Sequence, residues 1–164
     1  MDKQLILLEK KVAFSKLPSI IRNNDLCYLL SKDYISYLRL NKIIPDGCKV
    51  LNLSGKFHKK IKSLRKPYLD LFARLSKKYD SLEWWGMNIA SRNSGAVPLQ
   101  LNITYLFCAK EILEEVNNIK YPSRLIFIAE SQALLEIIKN LGKEKNFMVK
   151  QPGKSIIKLL SQVR

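Results

Sequence analysis

Glycine is scarce in this chain, and none of the six is placed as a nucleotide-binding loop requires. A dinucleotide fingerprint needs GxGxxG between a strand and a helix, and no such spacing occurs. "QPGKSI" near the end carries the Gly-Lys-Ser of a phosphate loop. The glycine required five residues before Gly153 is Met148, so that loop is excluded as well. Histidine occurs once, at His58, and cysteine three times, at Cys27, Cys48 and Cys108. There is no CxxC, and a structural zinc site wants four clustered ligands, so no metal is expected. Few, scattered cysteines in apolar stretches suit buried, reduced thiols of the cytoplasm. No apolar run approaches the ~18 residues of a membrane-crossing helix. The opening "MDKQLILLEKK" has too short an apolar run, and no small-residue cleavage site, for a secretory leader.

Acidic residues are also few: 14 Asp and Glu stand against 29 Lys and Arg, a net charge of +15. A positive field of that size suits nucleic acid, an anionic membrane surface or a phosphorylated substrate, and charge alone does not choose among them. The densest basic run, Lys56 to Lys66, places Lys59, Lys62 and Lys66 on one helix face. These three are the candidates for contact with a membrane or a phosphate; a solvated helix surface is the alternative. With 47% hydrophobic residues in 164, the chain has enough apolar content for a single domain spanning 1–164, which would bury roughly 70% of its unfolded surface.

Short apolar runs alternate with helical spacing. "LILLE" from Leu5, "LCYLLS" from Leu26, "KVLNLS" from Lys49, "RLIFIA" from Arg124 and "NFMVKQ" from Asn146 have the length and composition of buried strands. Asp33 is placed to cap a helix in which Tyr34, Tyr37 and Leu38 share a face. Phe57, Ile61 and Leu64, then Tyr68, Leu71, Phe72 and Leu75, form one face of a helix that Pro67 should break or kink. A largely buried helix should begin near Pro98. A further helix should be capped by Ser131, face inward with Leu134, Leu135 and Ile138, and end at Gly142; "GKSIIKLLSQVR" is a terminal helix. Strand–helix–strand alternation implies an α/β fold with a mostly parallel sheet.

Two segments carry candidate chemistry. "SLEWWGMNIASRNSG" holds both tryptophans, Trp84 and Trp85, ahead of a polar turn with Arg92 and Asn93. Neighbouring side chains diverge, so one indole can anchor the core while Trp85 faces a cleft beside Arg92 and Asn93. Two core anchors are the alternative. Glu130 and Ser131 follow the strand "LIFIA", where parallel sheets bind ligands, or else they form a helix-capping pair. His58 lies in a lysine-rich stretch without a carboxylate beside it in sequence, and suits a structural role better than that of a base.

"LEWWGMNIASRNSGAVPLQLNITYLFCAKEIL" followed by "RLIFIAESQALLEII" resembles the N-terminal part of bacterial surface-carbohydrate biosynthesis proteins of O-antigen and capsule loci. Those are similar to GT-B glycosyltransferases. The resemblance implies a Rossmann-like three-layer sandwich with helices on both faces, corresponding to the N-terminal half of a two-domain enzyme. That half would hold a lipid-linked glycan acceptor, with Trp85, Arg92, Asn93, Glu130 and Ser131 along the cleft. The nucleotide-sugar would belong to a second GT-B half, and no cofactor is implied. The expected place is the cytoplasmic side, peripheral at the inner membrane face. A basic nucleic-acid-binding module and a non-catalytic interaction domain are the alternatives.

Overall fold

The computed structural model describes residues 3–45, 48, 50–86, 99–118 and 124–152, leaving aside the side chains of Trp85 and Gly86. The chain divides into two compact units, 1–53 with 109–164, and 54–108.

The first unit contains five strands: β1 (Gln4–Glu9), β2 (Leu26–Leu30), β3 (Val50–Leu51), β4 (Arg124–Ala129) and β5 (Met148–Lys150). They form one sheet in the order β3-β2-β4-β1-β5, and every pairing is parallel. Helices α1 (Lys10–Ile20) and α2 (Tyr34–Ile43) cover one face of the sheet, where Ala13, Leu17 and Leu40 pack on Ile6, Leu8, Cys27, Leu29, Ile126 and Ile128. The opposite face presents Leu5 and Leu7, with Tyr28 and Phe127 in ring contact at 5.7 Å. Helix α6 (Gln132–Glu144) lies on that face through Leu134, Leu135 and Ile138. The fold is therefore the expected Rossmann-like three-layer α/β sandwich, with an all-parallel sheet. Strands covered on both sides have no solvent face, which is why "LILL" and "LIFIA" are unbroken apolar runs. Each such Leu or Ile contributes roughly 1.5–3 kcal/mol on burial.

The strands expected from Lys49 and Asn146 are shorter than their apolar runs, because Ser54 already starts a helix and only Met148–Lys150 reaches the edge of β1. On α2 the inward positions are Ser36 and Leu40, so Tyr34 and Leu38 face water instead of sharing the core face. Cys48 is half-buried, unlike Cys27 and Cys108. Burial pushes the Cys27 thiol up to about 12, so it stays protonated. Gly142 does not end its helix. The chain continues to Glu144, and Asn146 takes the left-handed turn at φ 61. Gly142 is instead where α6 touches the sheet: a Cβ there would collide with Leu5 Cδ2 and stand 3.2 Å from Val149 Cγ2.

The second unit holds α3 (Ser54–Lys78), α4 (Leu82–Gly86) and the part of α5 (Leu99–Asn117) up to Cys108. Pro67 lies inside α3, and the helix does not break there. A proline costs a helix one hydrogen bond and a clash. Here it sits on the exposed side, while Phe57, Ile61, Leu64, Tyr68 and Phe72 continue the sheltered side across it. Phe57 meets Tyr105 at 4.7 Å and Tyr68 meets Phe72 at 4.7 Å. Leu71 falls off this face and is exposed; Ser76 is buried instead. The helix expected near Pro98 begins at Leu99. The expected "PDG" turn and terminal helix fall on Asp46, Gly47 and 153–164, outside the described residues.

Gly142→Ala tests the contact between α6 and the sheet. An exposed helix site would gain about 1 kcal/mol from this change, whereas overpacking a core costs roughly 1–3 kcal/mol. Urea denaturation is expected to show net destabilisation of about 1 kcal/mol, partly relieved when Leu5→Val is added. A stabilised Gly142→Ala protein would contradict the packing.

Candidate functional site

The last residues of the three central strands lie side by side: Glu9 pairs with Ala129, and Ala129 with Leu30. Parallel pairing in this register sets the next residues, Lys10, Glu130 and Ser31, in a row at the carboxyl edge. The connection after β2 leads to β3 on one side, and the connection after β4 leads to β5 on the other. Neighbouring strands whose connections part in this way leave a crevice at their carboxyl ends, where open α/β sheets bind ligands. Ser31 and Asp33 follow one of these strands, and Glu130 and Ser131 the other.

Lys10, Ser31, Asp33 and Glu130 form one network, with Ser131 and the Gln132–Glu9 pair beside it. Lys10 Nζ donates to Glu130 Oε1 at 2.7 Å and to Asp33 Oδ2 at 3.0 Å. Ser31 Oγ donates to the same Glu130 oxygen at 2.7 Å and accepts from the Asp33 backbone N–H at 3.1 Å. Asp33 caps α2 by accepting from the N–H groups of Ile35 and Ser36 at 3.1 and 3.3 Å, and from the Ser36 hydroxyl. Ser131 Oγ caps α6 by accepting from Leu134 N–H at 3.3 Å. Gln132 Nε2 donates to Glu9 Oε2 at 2.7 Å. The Lys10 side chain is mostly sheltered at 21% exposure, while the Asp33 and Glu130 side chains keep 38% and 57%.

The electrostatics follow from these bonds. The Ser36 hydroxyl, then Lys10, hold the Asp33 carboxyl well below the usual carboxylate range. Lys10, then Ser31, hold Glu130 below its ordinary value. Partial burial pushes the Lys10 ammonium down, but the bonds to Glu130 and Asp33 outweigh it and the net shift is upward. All three groups are ionised at neutral pH. Helix N-termini attract anions, yet two of those converging here are occupied, α2 by Asp33 and α6 by Ser131. The lysine is shared by two carboxylates. The bonded cluster holds two carboxylates against one ammonium, a net negative group in a chain of net charge +15. It is poorly suited to a phosphate. Carboxylate oxygens facing outward suit ligands that donate hydrogen bonds, above all hydroxyl groups.

Of the five residues expected to bind substrate, Glu130 and Ser131 are here. Ser131 serves as the helix cap, and its hydroxyl hydrogen is left to donate. Trp85 belongs to α4 of the other unit; its side chain, and Arg92 and Asn93 entirely, lie outside the described residues. Trp84 is half-buried: Nε1 donates to the buried Ser76 Oγ at 3.2 Å, and the ring lies 6.2 Å from Tyr79. Lys59, Lys62 and Lys66 are exposed on α3, as is His58. Among the described residues no group of three or more His, Cys, Asp and Glu is placed to hold a metal ion. Lys10, Ser31 and Asp33 were not singled out as ligand-binding from sequence. The available signal was their position directly after apolar strands.

The pH dependence of stability follows from the lowered carboxyls. A carboxyl depressed in the folded state adds stability that is present above its unfolded pKa and lost as pH falls through the folded one. The stabilisation from Asp33 and Glu130 should therefore begin to fall below about pH 4 and go on falling toward their lowered folded values. Lys10→Met removes their common partner. The urea-midpoint gap between wild type and Lys10→Met is expected to be widest near neutrality and to shrink toward pH ~2–3. Asp25, raised by burial, acts in the opposite sense in both proteins and cancels. A gap constant across pH would contradict the network. No protein-family model, no curated protein and no solved structure matches the chain, so what this cluster does is told by its own geometry.

Proposed function

We propose that the chain is the acceptor-side domain of a glycosyltransferase-like protein of bacterial surface polysaccharide biosynthesis. Its cleft is the carboxyl edge of β1, β2 and β4, where the hydroxyl groups of a glycan acceptor sit against Glu130 and Glu9. The observation that carries this reading is the ionised network of Lys10, Asp33 and Glu130, two carboxylates on one ammonium, at the parting of the β2 and β4 connections. Lys10 and Ser31 fix one Glu130 oxygen. The other points its lone pairs outward, without a hydrogen-bond partner among the described residues. A carboxylate held in this way is a strong acceptor for a sugar hydroxyl. It is a poor proton carrier at neutral pH, because its pKa lies below the ordinary range. Asp33 is weaker still as a base. These groups therefore orient the acceptor, and the base that deprotonates it is another group.

The anionic nucleotide-sugar finds no site in this cluster, which agrees with a donor held by a second GT-B half. Trp85, Arg92 and Asn93, in the "WWGMNIASRN" segment, remain candidate substrate-binding residues. A lipid-linked glycan would bring the domain to the cytoplasmic face of the inner membrane. Among the described residues no helix is long and apolar enough to cross a membrane.

Titration of the labelled protein with neutral hexose and N-acetylhexosamine disaccharides tests the reading. Amide shifts are expected at Ser31–Ser36 and Glu130–Leu134. Loss of one charged hydrogen bond costs about 1.5–3 kcal/mol, so Glu130→Gln should weaken binding at least about tenfold. Unchanged sugar affinity in Glu130→Gln and in Lys10→Met would defeat the proposal, and so would a nucleoside diphosphate shifting the same amides instead.

A further inference from the structure

Helix α3 carries nine lysines and arginines and one acid, Asp70, so more than half of the chain's net charge lies on 25 residues. At 100° per residue, Lys59, Lys62, Lys66, Arg74 and Lys77 fall within an arc of about 120°. All five are exposed. From Lys59 to Lys77 the row runs about 27 Å along a helix of 1.5 Å rise. Leu69 flanks it and is 40% exposed. The aromatic side chains of α3 lie elsewhere on the helix: Phe57 meets Tyr105, and Tyr68 meets Phe72.

We infer that this row is a docking face for the surface of an anionic lipid bilayer. Charge complementarity is the first argument: each lysine near such a surface strengthens binding about fivefold, and a straight row of five suits a flat target. The composition of the face is the second. Single-stranded nucleic acid is held by cations interleaved with aromatic rings on which bases stack; here the rings of α3 lie off the row, and the Lys78–Tyr79 contact at 5.2 Å involves none of its five cations. The apolar side of α3 is used within its own unit, so contact is electrostatic and peripheral rather than by insertion of that side. This inference does not depend on the sheet-edge cluster.

Sedimentation of the full chain with vesicles tests it, using phosphatidylglycerol mixed with phosphatidylcholine, and phosphatidylcholine alone. Binding to the anionic vesicles only is expected at about 0.1 M salt, with loss near 1 M, where the screening length falls to ~3 Å. The triple variant Lys59→Ala, Lys62→Ala, Lys66→Ala should bind about a hundredfold more weakly. Alanine is the best helix former, so α3 should persist, and circular dichroism checks this. A second triple, Lys11→Ala, Lys42→Ala, Lys143→Ala, has the same net charge and should bind nearly as wild type. Equal losses in the two triples would overturn the inference, because binding would then follow net charge and not this face. So would no vesicle binding at about 0.1 M salt, or duplex DNA binding more tightly than vesicles and lost in the first triple.

Discussion

Burial of β1, β2 and β4 on both faces is the constraint from which the rest follows. Helices cover each side of these strands, so nothing polar fits along them, and their sequences become unbroken apolar runs. Polar chemistry is thereby confined to the strand ends. Because the strands are parallel and end in register at Glu9, Leu30 and Ala129, the first polar residues after them must meet. Lys10, Ser31 and Glu130 are those residues.

That meeting has a structural and a chemical side. Structurally, Asp33 and Ser131 start α2 and α6, and Lys10 ties the ends of three strands together. Partly exposed ion pairs of this kind contribute little each, about 0–1 kcal/mol. The apolar layers carry the stability, and the network carries the placement. Chemically, the same bonds engage the Lys10 ammonium and cap the N-termini of α2 and α6, and leave one Glu130 oxygen without a partner among the described residues. A chain that is basic overall therefore presents a carboxylate-bearing edge on the sheet and a cationic face on α3. The two lie in different units.

The layered fold was legible because fully buried parallel strands have an unmistakable composition: "LILL" and "LIFIA" permit no solvent face. The caps at Asp33 and Ser131 were legible for the same local reason, since an N-cap needs only a short oxygen-bearing side chain before a helix. What failed were inferences that let local propensity outvote packing. Of the break or kink expected at Pro67, the break does not occur, because the apolar side on both flanks of the proline holds the helix together. Gly142 is a contact glycine and not a stop, because sequence cannot show that Leu5 and Val149 lie beneath it. Leu71 was expected on the sheltered face of α3 and is exposed, because Phe72, one position on, takes that place.

The cluster was half legible. Glu130 and Ser131 were marked by the strand before them. Lys10 and Asp33 required the strand order, which brings residues more than a hundred positions apart to within hydrogen-bond distance. The most direct test of this account is the titration of the Asp33 and Glu130 side-chain carboxyl carbons by nuclear magnetic resonance. Both should titrate below the ordinary values of 3.8 and 4.5, and both should rise in Lys10→Met. Ordinary values that do not respond to Lys10 would mean that the three side chains do not meet, and the proposed acceptor edge would be lost with them.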